Sequence, residues 1–283
     1  MTYCLGIISR HGLVMASDSR TNAGYDQVNV CPKMYTFKRP GDRVFVLLAS
    51  GSLSCTQSTI TLLRRDFDHG RGLAAVPTMY DAAREVGRQL RAVADLDREA
   101  LERDNYKFNV HLILGGQIRG EPPALFMVYP QGNPLQASAD SPFLQIGETK
   151  YGKPILDRGC SFENTTLEAA AKYALLSLDS TMKSNVTVGP PIDLLAYSAD
   201  EFDITRQRRF GENDPDLMKI RVRWQQALRQ AVLKLPDVRF DADKDGGAGD
   251  KAHSINLVEP APEHVGEPVT QPDQSTPRRV PRH

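Results

Sequence analysis

The second residue of the chain is a threonine, and a threonine in that place can hold a nucleophile and its base in one residue. Aminopeptidases remove an initiator Met readily when the next side chain is small, so loss of Met1 is expected to leave Thr2 with a free α-amine. A hydroxyl is a poor nucleophile near neutral pH. An α-amine with a reference pKa of about 7.7 to 8.0 is partly unprotonated there and can accept the hydroxyl proton. Lys33 and Asp18 suit the supporting roles: an ammonium beside the hydroxyl favours the alkoxide and keeps a nearby amine neutral, and a carboxylate holds that ammonium in place. Gly51 stands where a strand gives way to a helix, so bare N–H groups and the positive helix end can receive an oxyanion. The expected chemistry is acyl transfer to a chain-terminal hydroxyl, which cleaves amide bonds without any cofactor. Each residue has a plainer reading, as a common second residue, a strand-end carboxylate, a surface lysine and a turn glycine. The argument comes from their combination.

A nucleophile at a chain end must be fixed by the element that follows it. Tyr3 to Ser9 is apolar and partly β-branched, Arg10-His11-Gly12 is turn-like, and Leu13 to Asp18 completes a hairpin. Cys31 to Phe37 and Arg43 to Ala49, joined through Pro40-Gly41, predict a second hairpin. Ser50-Gly51-Ser52 closes that strand before a helix over Leu53 to Phe67, and a longer helix from Met79 to Leu101 shows one apolar face through Val86, Leu90 and Val93. Strands are expected at Asn109 to Leu114, closed by Gly115-Gly116, at Ala124 to Tyr129 and at Phe143 to Ile146. A helix over Thr166 to Met182, a strand over Ile192 to Tyr197, a short strand over Phe202 to Ile204 and a helix over Leu217 to Leu233 complete the reading. This order does not alternate as βαβ units do, so it predicts an α+β fold with two stacked sheets between helical layers. Residues 1–235 are expected to form that domain. From Pro236 onward aromatics nearly vanish while Pro, Asp, Gly, Glu and Gln dominate, so 236–283 is expected to be a disordered tail.

In order along the chain, Thr2-Tyr3-Cys4-Leu5-Gly6, Ala16-Ser17-Asp18-Ser19-Arg20, the Lys33 strand and Ala49-Ser50-Gly51 before a helix resemble the successive blocks of proteasome β-subunits. In particular the chain resembles the bacterial ancestral-β-subunit, or Anbu, group over roughly residues 2–235, and most specifically over the first fifty. The resemblance implies the four-layer αββα sandwich of N-terminal-nucleophile hydrolases, with Thr2 as nucleophile and base, Asp18 and Lys33 assisting, and a Gly51 N–H in the oxyanion hole. It also implies a peptide or protein substrate and a homo-oligomer built as a ring or open spiral, with an ATP-dependent unfoldase left open as a partner. The chain departs from the family pattern in two ways. Many β-subunits carry a longer propeptide, whereas only Met1 precedes Thr2, which implies exposure by aminopeptidase rather than self-cleavage. The family's Gly-Ser-Gly block is Gly147-Glu148-Thr149 here, and its Asp-x-x-Ser-Gly block falls within Ser184 to Gly189, so Glu148, Ser184 and Thr187 are carried over as supporting residues. Three readings follow: a threonine peptidase, the same machinery acting on a narrow non-protein amide, or a non-catalytic assembly protein. Retention of Thr2, Asp18 and Lys33 together favours catalysis.

Other chemistries lack their marks. Lys plus Arg and Asp plus Glu each total 35, so there is no positive excess to neutralise phosphates and no nucleic-acid partner is expected. No apolar stretch approaches the roughly 20 residues of a membrane-spanning helix, and no signal peptide is legible, so a cytoplasmic protein is expected. The four cysteines lie far apart with no CxxC pair and read as small, mostly buried hydrophobes. His11, His69 and His111 have no ligand spacing, so no metal is expected. Asp241 to Gly246 opens like a calcium loop but carries Ala252 where a bidentate Glu is required. No GxSxG, Walker A or GxGxxG pattern occurs.

Overall fold

The computed structural model describes residues 2–22, 28–238 and 240. Met1 and nearly all of the segment expected to be a tail lie outside the described residues, as does the calcium-like stretch.

Tyr3–Ser9 (β1) and Gly12–Asp18 (β2) are buried along their whole length, as strands covered on both faces must be. They sit at the centre of a five-stranded antiparallel sheet ordered β10-β1-β2-β11-β12, completed by Phe143–Gly147 (β10), Ile192–Ser198 (β11) and Arg206–Phe210 (β12). Between β2 and the next long strand lies a small hairpin, Arg20–Asn22 (β3) and Val28–Val30 (β4), which the sequence pattern does not announce. The second five-stranded sheet is a simple meander: Met34–Arg39 (β5), Arg43–Gly51 (β6), Val110–Ile118 (β7), Ala124–Val128 (β8) and Pro134–Gln136 (β9).

Alternation within the strands sends side chains into three apolar layers. Cys4, Met15, Leu48, Ile113 and Ile146 fill the space between the sheets. Phe45, Leu47, Leu112 and Phe126 face the helices Leu53–Asp68 (α1) and Met79–Arg103 (α2), meeting Leu63, Val86 and Leu90. Tyr3, Leu5 and Ile7 face the opposite helices, Lys153–Gly159 (α3) and Leu167–Ser184 (α4), meeting Leu156, Ala174 and Leu178. A final helix, Pro215–Leu233 (α5), adds Leu217 to that layer. The architecture is the four-layer αββα sandwich. Helix starts are chemically defined: Thr78 accepts from the Asp81 N–H, Thr166 from the Ala169 N–H, and Asp214 from Asp216 and Leu217.

Two expectations are corrected. Gly115-Gly116 does not end β7, which runs through both to Ile118. A Cβ at Gly116 would stand 2.1 Å from the Val44 carbonyl oxygen, and one at Gly115 would stand 2.9 Å from the Met15 sulfur, so the pair lets the backbone pass in close packing. Phe202 to Ile204 is not a strand either. Asp200 and Phe202 take left-handed φ of 65° and 47°, forming a bend, and the strand begins later, at Arg206.

Candidate active site

The chain start is held by main-chain geometry. Tyr3 pairs with Gly147 of β10 and Cys4 with Ser17 of β2. The Glu148 N–H donates to the Thr2 carbonyl at 2.8 Å, and the Tyr3 N–H donates to Asp18 Oδ1 at 3.0 Å. The Thr2–Tyr3 peptide group is therefore fixed at both its carbonyl and its N–H. Gly147 must be glycine here: its φ is +86°, and a Cβ would stand 1.9 Å from the Thr2 carbonyl oxygen. The Tyr3 ring runs the other way, into the α4-facing core. Its hydroxyl meets Ser177 Oγ of α4 at 2.6 Å and accepts from Gln145 Nε2, and burial pushes its pKa up to about 12. Tyr3→Phe is expected to strand the Gln145 and Ser177 partners and cost about 1–3 kcal/mol. Urea unfolding would show this as a lowered midpoint at unchanged slope.

Asp18 and Lys33 form a buried ion pair, with side chains 0% and 8% exposed and Nζ 2.7 Å from Oδ1. The Lys33 ammonium donates a second hydrogen bond to the Arg20 carbonyl at 2.6 Å, and the Gly189 N–H reaches Asp18 Oδ2 at 3.3 Å. Burial pushes the Asp18 carboxyl above its ordinary value. The ammonium and the two N–H donors pull it down without overcoming that effect.

Thr2, Lys33 and Gly51 line one cavity of about 570 Å³ that opens between the sheets. Gly51 closes β6 opposite Val110, with φ +109°, and a Cβ on it would stand 1.8 Å from the Asn109 carbonyl oxygen. The next residue, Ser52, is the N-cap of α1 and makes no side-chain cap bond, and Leu53 of the first turn lines the cavity. Gly51→Ala is expected to combine left-handed strain, about 1–3 kcal/mol, with a backbone collision. A lowered melting temperature together with loss of covalent labelling at Thr2 would report both.

The remaining sequence-derived candidates divide. Glu148 is 9% exposed; its Oε2 accepts from Asn185 Nδ2 at 2.9 Å, and Lys150 Nζ lies 3.4 Å from its Oε1. Thr187 joins the same group, donating from Oγ1 to Asn185 Oδ1 at 2.6 Å and from its N–H at 3.0 Å. Ser184 is not drawn in: it is exposed at the last position of α4 and is not among the residues lining the cavity. Sequence reasoning passed over Asn185, the hub of this group, although an Asn two residues before a Thr is the signal for a local Asx turn. The Arg20 carbonyl and Gly189 N–H carry no residue-type signal at all. Gln145, His111, Met127 and Tyr129 also line the cavity. Among the described residues, no group of three or more His, Cys, Asp or Glu is disposed to hold a metal ion. No helix among them is long and apolar enough to cross a membrane.

The proteasome subunit family model matches residues 2–195. The chain belongs to the proteasome subunit family and is, at the level of that family, a proteasome-like protease. It is similar to the proteasome subunit beta of Haloferax volcanii, 25% identical over 211 residues that span 74% of this chain and 78% of the relative. Closer likeness is to Anbu proteins. An Anbu (Gly-1) mutant from Hyphomicrobium sp. strain MC1 is 43% identical with a TM-score of 0.79, over 85% of this chain and 100% of that one. Anbu from Pseudomonas aeruginosa, solved as a helical assembly, is 44% identical with a TM-score of 0.79, over 84% and 98% of the two chains.

Proposed function

We propose that the chain is a threonine peptidase that cleaves peptide bonds through an acyl-enzyme on Thr2. The observation that carries this reading is the meeting of Thr2, Lys33 and Gly51 at one cavity, with Asp18 held behind Lys33 at 2.7 Å. After removal of Met1, the Thr2 hydroxyl attacks the carbonyl carbon and its proton passes to the Thr2 α-amine. The oxygen of the carbonyl becomes an oxyanion, which accepts hydrogen bonds from the Gly51 N–H region at the start of α1. Collapse breaks the C–N bond, and the departing amine takes the proton. Water, deprotonated by the same α-amine, then cleaves the ester and restores the hydroxyl. Lys33 holds positive charge beside the hydroxyl, and Asp18 fixes Lys33. The buried Glu148, bonded to Asn185, supports the terminal turn from the other side, with Thr187 behind it. The likeness to an Anbu protein solved as a helical assembly supports a homo-oligomer of ring or spiral form.

Intact mass and N-terminal sequence, measured before and after an epoxyketone or β-lactone, test the reading. Loss of Met1 and one adduct on Thr2 are expected. A clean Thr2 terminus that never labels would overturn the catalytic reading in favour of the assembly protein.

A further inference from the structure

We propose that His111 is the specificity-determining residue of the Thr2 cavity, selecting an uncharged aromatic side chain on the acyl side of the attacked amide and rejecting a basic one. The proposal rests on the reading of Thr2 as nucleophile and extends it to the class of substrate.

His111 stands opposite Ser50 in the β6–β7 register, one strand across from the end of β6 that carries Gly51. It shares a sheet face with Ile113, two residues on, which packs between the sheets. Its ring therefore belongs to the cavity side of the sheet and not to the helix side. From there the wall continues onto the β8 region: the Tyr129 ring meets His111 edge-on, with centroids 6.4 Å apart and planes at 74°, and Met127 also lines the cavity. Two ring systems and a thioether offer an entering aromatic side chain edge, face and sulfur contacts.

The charges point the same way. Among the described residues lining the cavity there is no carboxylate, and the lysine present, Lys33, already serves Asp18 and the Arg20 carbonyl. A Lys or Arg side chain entering this space would shed water beside a cation and meet no counter-ion. A Glu or Asp side chain would find the Lys33 charge already balanced. Burial pushes the His111 imidazole below its usual pKa, so at neutral pH it meets the substrate as an uncharged ring with one donor and one acceptor nitrogen. That suits a phenyl or phenol and offers nothing to an ammonium.

The test uses peptidyl epoxyketones identical except for Phe, Lys or Glu as the side chain nearest the electrophile, with the rate of adduct formation on Thr2 read by intact mass. The Phe compound is expected to react at least tenfold faster than the Lys compound. His111→Glu should raise the Lys compound at least tenfold relative to Phe, and His111→Gln, which stays neutral, should leave Phe ahead of Lys. The same peptides as plain amides, titrated into the Thr2→Ala protein, report the preference without any chemistry at Thr2. Equal reaction or binding of Phe and Lys peptides, or a soluble His111→Glu protein with unchanged order, overturns the specificity proposal while leaving a Thr2 adduct intact. Absence of any adduct, with Phe still preferred in binding, instead overturns the nucleophile and keeps the selectivity.

Discussion

Thr2→Ala is expected to abolish covalent labelling and to lower amide hydrolysis by this chain by roughly three orders of magnitude or more, the scale seen when an activated hydroxyl nucleophile is removed. The variant should remain folded. The chain start is held by the Glu148 N–H on the Thr2 carbonyl and by Asp18 on the Tyr3 N–H, and both bonds use the main chain, which alanine keeps. Alanine is also small enough to allow removal of Met1, so processing and nucleophile are separated cleanly. Thr2→Ser retains a hydroxyl and an α-amine and should retain labelling. The measurements are intact mass after inhibitor, hydrolysis of a fluorogenic peptide, and a thermal melt. Hydrolysis that survives in Thr2→Ala would sink the nucleophile assignment. Loss of hydrolysis together with a collapsed melt would instead mean that the methyl and hydroxyl of Thr2 support the fold.

Much of this architecture was legible because the relevant signals are local. β1 and β2 read as a hairpin from their apolar runs and Arg10-His11-Gly12, and α2 from its helical stripe, since each pattern is set by the face that is buried. The elements that escaped are those too short to display such a face. The β3–β4 hairpin, β9 and α3 are short, and their pattern covers too few residues to show a period. Gly115-Gly116 looked like punctuation because a glycine pair usually ends a strand, while here it answers a close approach from Val44 and Met15 that only the tertiary fold creates. The site divides in the same way. Thr2, Lys33, Asp18 and Gly51 could be singled out by side-chain chemistry or turn position. The Arg20 carbonyl and the Gly189 N–H, which complete the Lys33 and Asp18 contacts, are main-chain groups that every residue possesses. The lack of ligand spacing around His111 speaks to metals and says nothing about lining a cavity.

Lys33→Met should be the most informative change after that at Thr2, because it keeps the length of the side chain and removes its charge. On the proposed mechanism, loss of the Lys33 ammonium is expected to lower hydrolysis about 10²–10⁴-fold, the range for losing a positioned proton-transfer partner. The fold should suffer as well. Asp18 is fully buried, and stripping one member from a buried ion pair leaves the other uncompensated, at a cost of about 3–5 kcal/mol near neutral pH. The sign of the pH dependence follows from the carboxyl. Burial already raises the Asp18 pKa in the native chain, and losing Lys33 removes the principal force opposing that rise. A carboxyl raised on folding adds stability that is complete below its unfolded pKa and is lost as the pH climbs through its folded pKa. The stability deficit of Lys33→Met should therefore shrink as the pH falls through the raised Asp18 pKa and widen towards neutrality. Urea midpoints of both proteins from acid to neutral pH measure it, and a deficit independent of pH would show that Asp18 is not the stranded charge. Adding Asp18→Asn to Lys33→Met removes that charge, so the double variant should be more stable at neutral pH than Lys33→Met alone while remaining inactive. Stability regained without activity would separate the two roles of the pair: holding its own buried charges, and presenting the Lys33 ammonium to Thr2.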